Sequence, residues 1–168
     1  MRETDGRGSE PEIGDKIICL RNCWDTVSET NQDPLINGSI GWIKNMNLES
    51  EFYRLNGSMI EVPVLRATIS TMKDTYVNLP IDYRALTTGE KFLTPKQEYY
   101  IRRNKENPVL PIEFNYGYAI TGHRAQGSQW GKVLTIEEGF PFESIEHAQW
   151  LYTCTTRAEY KLTLVLKR

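Results

Sequence analysis

Four residues able to donate to an anion, Thr121, His123, Arg124 and Gln126, fall within six positions of the run FNYGYAITGHRAQGSQW (114–130), directly after an aromatic and apolar stretch. A hydroxyl, a ring nitrogen, a cation and an amide together suit phosphate oxygens and sugar edges. Gly127 would let a ligand approach the backbone closely. Taken singly, each has an ordinary alternative: Thr121 ends a strand, His123 sits in a core, Gly127 turns the chain. A second set lies in YTCTTRAEYKLTLV (152–165), where Thr155, Thr156 and Arg157 precede a β-type run. An arginine at a helix end is commonly a partner for the helix dipole. Among small, hydroxylated neighbours its planar, permanently charged fork also has room to reach a polyphosphate.

The bulk properties leave room for such a site without pointing to it. With 168 residues, 39% of them hydrophobic, the chain can build a real core. No run approaches the roughly 20 apolar residues that span a bilayer, and the charged start MRETDGRGSEPEIG is no secretory signal, so no membrane partner and a cytoplasmic setting are expected. Cys19, Cys23 and Cys154 are an odd, unpatterned set that fits neither a disulfide framework nor a paired zinc motif, which favours a reducing compartment. A net charge of −2 and a pI near 5.8 lack the basic excess of a dedicated DNA-binding domain. Local clusters at Arg102, Arg103 and Lys105, and at Glu49, Glu51, Glu137 and Glu138, are explained as solvated faces.

The elements that must position the two sets follow from the grammar of the chain. Residues 1–12 read as a flexible arm. From Ile13, GDKIICLRN is a β-type run, and LINGSIGWIKN and FYRLNGSMIEVPVL place Asn37-Gly38 and Asn56-Gly57 between apolar residues, the signal of tight hairpins. Short strands of this kind predict a small, curled or closed barrel, with Trp42, Phe52 and Tyr53 in its core or on a stacking surface. The stretch from Ser70 to Pro111 is less regular, except that Thr94-Pro95-Lys96-Gln97 predicts a capped helix over TPKQEYYIRRNK, ended by Asn107-Pro108. Over 112–168 the pattern becomes strand (IEFNYGYAIT), strand (KVLTIEE), helix (SIEHAQWLYTCTTRA) and strand (YKLTLVLKR), part of a parallel α/β sheet. Ile145, Ala148, Leu151, Tyr152 and Thr155 are spaced as one buried helical stripe, with Ser144 as the cap. In such sheets ligands gather beyond the carboxyl ends of the strands, where Thr121–Gly127 is expected.

Taken together, TGHRAQGSQW and LYTCTTRAEYKLTLV resemble motifs five and six of superfamily one helicases, in the RecD-like and Dda-like branch that translocates from 5′ to 3′. GDKIICLRN followed by LINGSIGWI resembles the small barrel of Src-homology-three type that this branch inserts into its second RecA-like motor domain. The implied fold is a partial RecA-like parallel sheet over 112–168 with an all-β insert over 13–111. The resemblance implies that Thr121, His123 and Arg124 contact single-stranded DNA, and that Gln126 and Thr156 couple DNA to nucleotide. It places Gly127, Gln129 and Arg157 at ATP, with Gln129 standing where many relatives carry a glutamate near the ribose. Arg157 would reach the γ-phosphate and serve as the catalytic residue.

No Gly-x-x-x-x-Gly-Lys-Ser/Thr phosphate loop occurs, TTGEKF having neither its spacing nor its hydroxyl, and no Asp-Glu pair of magnesium ligands follows a strand. The chain is therefore expected to be the C-terminal part of a longer, monomeric helicase. ATP and Mg would be held mainly by an N-terminal motor domain, and the fragment alone would be inactive. The rival reading is a non-catalytic single-stranded nucleic-acid binding module that stacks bases on Trp42, Phe52 and Tyr53. A nuclease or metalloenzyme would have only His123, His147 and scattered cysteines to build on, so no metal site is expected.

Overall fold

Alternation along one long strand organises the first half of the molecule. In Ser58–Thr71, Leu65, Ala67 and Ile69 point to one face and Val62 and Val64 to the other, and all five are buried. A strand buried on both sides needs a cover on each, since successive side chains alternate across the sheet. The computed structural model describes residues 10–104, 106, 108–137 and 144–166. It divides into two units, Met1–Tyr118 and Ala119–Arg168.

In the first unit the strands are β1 (Lys16–Cys19), β2 (Cys23–Val27), β3 (Pro34–Leu35), β4 (Ile40–Leu55), β5 (Ser58–Thr71), β6 (Thr75–Asp82) and β7 (Phe114–Tyr116), with helices α1 (Tyr83–Thr88) and α2 (Pro95–Arg103) between the last two. Five strands form one antiparallel sheet in the order β6-β5-β4-β1-β7, and β2 and β3 form a separate pair. The sheet's two edges meet: Ile112, two residues before β7, makes a parallel bridge to Ile81 of β6, with Ile112 N–H donating to the Pro80 carbonyl at 2.6 Å. Leu65, Ala67 and Ile69 fill the enclosed side with Ile17, Ile43, Ile81 and Phe114. Val62 and Val64 pack with Tyr53 beneath Leu93, Ile101 and Leu110.

Several expectations are met here and others corrected. Asn56 and Gly57, at φ 50° and 84°, make the two-residue loop between β4 and β5. Gly38 also turns the chain, but β3 and β4 do not pair with each other, so Asn37-Gly38 joins two sheets instead of closing a hairpin. The strands are not all short: β4 has 16 residues and β5 14. Tyr53 is sealed in the core, its hydroxyl donating to the Val109 carbonyl at 3.0 Å, so it offers no stacking face; Phe52 is exposed and Trp42 half-buried. Glu49 and Glu51 pair with Arg66 across the hairpin. The predicted helix is α2, with the full Thr94–Gln97 capping box and Arg102 and Arg103 in its last turn. Lys105, Asn107 and Glu138 lie outside the described residues. β6 escapes the sequence pattern because Pro80 argues against a strand. At a sheet edge its missing N–H is tolerated, and Asn78 at φ 55° supplies a bulge beside it.

One correction concerns the site directly. IEFNYGYAIT does not open the parallel sheet: Phe114–Tyr116 pairs antiparallel with β1 and completes the first unit. The pairing is reinforced by Asp15, fully buried, which accepts from the Tyr118 hydroxyl at 2.8 Å. The second unit contains β8 (Trp130–Ile136), α3 (Ser144–Thr155) and β9 (Ala158–Val165), with β8 and β9 parallel. The helix stripe also differs from expectation. Of the expected stripe Leu151 and Thr155 are half-buried, but Ile145 and Tyr152 are 68% and 70% exposed and Ala148 is exposed, and His147, Trp150 and Cys154 turn inward beside Leu151. Spacing alone cannot choose between two overlapping helical stripes about a third of a turn apart, and a sheet of two strands covers only one of them. Ser144 is the first residue of α3 rather than its cap. Leu134, Ile136, Leu162 and Leu164 remain exposed, although parallel sheets are ordinarily covered on both faces. No helix among the described residues is long and apolar enough to cross a membrane.

Asp82 ties the first unit's helical segment to its sheet, accepting from Ala85 N–H at 2.9 Å and Phe92 N–H at 3.1 Å while itself buried. Asp82→Ala is expected to destabilise this unit by about 1–3 kcal/mol, and Asp82→Asn, which keeps one acceptor, by less. Denaturant unfolding followed by aromatic fluorescence checks the order; equal losses would contradict it.

Candidate functional site

Parallel pairing of β8 with β9 decides which residues meet. The register sets Trp130 opposite Ala158, and Trp130 N–H donates to the Arg157 carbonyl at 2.9 Å. The residues just before each strand therefore become neighbours: Thr121–Gln129 ahead of β8 and Thr156–Arg157 ahead of β9. The two sets converge at the amino margin of the parallel pair, not at the carboxyl end expected from the sequence, because the strand that was to precede Thr121 belongs to the first unit.

Gly122–Gly127 forms a run of turns. Ala125 N–H reaches the Thr121 carbonyl at 3.1 Å, Gln126 N–H the His123 carbonyl at 3.3 Å and Ser128 N–H the Ala125 carbonyl at 3.2 Å. The Thr121 hydroxyl accepts from Arg124 N–H at 3.4 Å, so it caps the turn as well as facing solvent. Ala125 is buried as the anchor, while Thr121, His123, Arg124, Gln126, Gly127 and Gln129 are exposed. Gly127 closes the run at φ 81°, a conformation that favours glycine. Gly122, unnoticed in the sequence, is required by packing: a Cβ there would lie 2.5 Å from Cys154 Sγ and 2.7 Å from Trp150 Nε1. The turn thus rests on α3 through a residue with no side chain.

Arg157 is half-buried and its guanidinium is held on three sides. Nε–H donates to the Thr153 carbonyl at 3.0 Å, Nη1 to the Ser128 carbonyl at 3.3 Å and Nη2 to the Thr156 hydroxyl at 3.0 Å. The Thr156 hydroxyl in turn donates to the Tyr152 carbonyl at 2.9 Å, which fixes its lone pair toward the arginine. One bond satisfies a carbonyl at the end of α3, the ordinary task of a cation there. The bond to Ser128 lies outside that task and fastens the two sets together. Two of the five guanidinium N–H groups stay available to a further acceptor.

A cleft of about 400 Å³ opens between the turn and α3, lined by His123, Gln126, Glu146, Gln149, Trp150 and Thr153. With Glu146 in its wall and no permanent cation, it is unsuited to enclose a phosphate. Beneath it, His147 Nε2 lies 2.6 Å from Glu137 Oε1 and its ring stacks on Trp150 at 6.2 Å, which joins the first turns of α3 to the end of β8. Burial pushes the Cys154 thiol above its ordinary value, with nearby Arg157 opposing. The donors present fit a phosphate oxygen at Arg157. Among the described residues no group of three or more His, Cys, Asp or Glu is placed to hold a metal ion.

Residues 116–165 match the family model of the UvrD-like helicase C-terminal domain. The matched segment contains both residue sets and the β8-α3-β9 unit, and a parallel strand-helix-strand unit fits the RecA-like fold of that domain. A helicase-type function is what the match suggests. The chain has no match among curated proteins.

Two substitutions test the geometry of the matched segment. Gly122→Ala should lift the turn from α3 and cost about 1–3 kcal/mol, read as faster hydrogen exchange in 144–155. Unchanged exchange would contradict the close approach. Thr156→Val removes the acceptor for Nη2 and should lower stability by about 1 kcal/mol, checked by thermal unfolding against Thr156→Ser, which retains the hydroxyl.

Proposed function

We propose that this chain supplies the second motor domain of an ATP-dependent DNA helicase or translocase of the RecD-like and Dda-like branch, moving 5′ to 3′ on single-stranded DNA. The observation that carries the reading is Arg157 bound to the Ser128 carbonyl, with two N–H groups to spare, beside an exposed turn of donors. In this reading Thr121, His123 and Arg124 take the DNA backbone, and Gln126 and Thr156 couple that contact to Arg157. Gly127, Gln129 and Arg157 face the nucleotide. ATP with Mg supplies the hydrolysis that drives movement and is held mainly by a first motor domain bearing the phosphate loop that this sequence lacks. Arg157, already positioned by its three local acceptors, offers charge to the phosphoryl oxygens without reorganising, a contribution of orders of magnitude in rate for arginines so placed. The five-stranded sheet closed at Ile112 and Ile81 supports reading the first unit as the inserted barrel of Src-homology-three type. A monomer working in the cytoplasm completes the proposal.

In the full-length protein, Arg157→Ala should abolish single-strand-stimulated ATP hydrolysis, and His123→Ala should weaken the DNA stimulation. Normal turnover in the arginine variant rejects its role. The 168-residue chain alone should show no hydrolysis; turnover by pure chain that vanishes on Arg157→Ala would overturn the need for a second motor domain.

A further inference from the structure

Two cysteines that the motor reading does not use lie together in the first unit. Cys19 ends β1 and Cys23 opens β2, and both sulfurs turn to one carbonyl, that of Arg21, at 3.1 and 3.9 Å. Cys19 is fully buried in the core cluster. Cys23 is half-buried and lines a cleft of about 330 Å³ with Arg21, Trp24, Asp25 and Arg102. Solvent thus reaches one sulfur and not the other, an arrangement in which an exposed thiol reacts and a neighbour resolves it.

We propose that Cys19 and Cys23 are a hydroperoxide-reactive dithiol, Cys23 the attacking sulfur on the cleft wall and Cys19 the buried resolving sulfur. The Cys23 thiolate attacks one peroxide oxygen; the S–O bond forms, the O–O bond breaks, and the departing hydroxide takes a proton to leave as water. Cys19 sulfur then attacks the Cys23 sulfenic acid; the S–S bond forms, the S–O bond breaks, and a second water leaves with the Cys19 proton. Two thiols and one hydrogen peroxide give one disulfide and two waters. The disulfide would pin the β2-β3 pair to the end of β1 in the five-stranded sheet.

The charges facing the pair support this division of labour. The neighbouring Cys19 side chain holds the Cys23 thiol below its ordinary value against the opposing effect of burial, and Arg21 and Arg102 add to the lowering. The neighbouring Cys23 and burial push the Cys19 thiol up. Arg21 is fixed by the Leu110 and Pro111 carbonyls at 3.2 and 2.8 Å, and Arg102 reaches across from α2. Asp25 is the acid on the cleft wall. A thiolate in such a setting reacts where an inert buried thiol does not.

The test uses the 168-residue chain with one equivalent of hydrogen peroxide at about neutral pH, followed by alkylation and peptide mapping. The expected result is loss of two hydrogens confined to the peptide carrying Cys19 and Cys23, restored by dithiothreitol, with Cys154 still alkylated. Without peroxide, iodoacetamide should label Cys23 at least about ten-fold faster than Cys154, and the difference should vanish in urea. Cys23→Ser should abolish the reaction, and Cys19→Ala should stop it at a dimedone-trapped sulfenic acid. If Cys19→Ala fails to fold, the wild-type map decides alone. Equal labelling of Cys23 and Cys154 in the folded chain, disulfides only between molecules, or oxidation of Cys23 that leaves Cys19 a free thiol would each overturn the proposal.

Discussion

The hydrogen bond from Trp130 N–H to the Arg157 carbonyl is the constraint on which the candidate site rests. It belongs to the first step of a parallel ladder, and parallel strands start from the same margin. Whatever precedes each strand is therefore placed side by side. The Arg157 side chain then adds a second tie, to the Ser128 carbonyl, on the same margin. A one-residue slip of β9 would turn Arg157 to the other face and separate the sets, since side-chain direction reverses at each step.

The support beneath that margin is unusually dependent on α3. Gly122 lets the turn lie against Cys154 and Trp150, the Thr156 hydroxyl orients the arginine, and the His147–Glu137 pair holds the other end of the helix to the strand. The exposed donors gain their positions from one buried residue, Ala125, and from this scaffold. Such an arrangement keeps polar side chains free for a ligand while the backbone carrying them is fixed, the condition for a site that binds without large reorganisation.

Much of this was legible in the sequence, and the misses have physical causes. The α2 capping box and the Asn56-Gly57 loop depend on local chemistry, and both were found. The two polar sets were found from residue types and meet in space. Their location is not legible, because an apolar strand, Phe114–Tyr116, can pair with either unit and nothing local says which; Asp15 and Tyr118, remote from each other in sequence, hold it to β1. The α3 stripe is not legible in spacing, because two overlapping faces compete and only the number of covering strands chooses. Gly122 was invisible since a required absence of side chain looks like any glycine. Cys19 and Cys23 give no framework by spacing, yet a three-residue connection brings both sulfurs to one carbonyl.

The claim at the centre is that the guanidinium of Arg157 physically holds the Thr121–Gln129 turn beside it. Hydrogen exchange followed by mass spectrometry on wild-type chain and on Arg157→Ala tests it most directly. Faster exchange in 121–129 together with 153–158, and unchanged exchange in β4 and β5, is the predicted result. Faster exchange confined to 153–158, with the turn exchanging as in wild type, would contradict it and leave Arg157 as a helix-end cation alone.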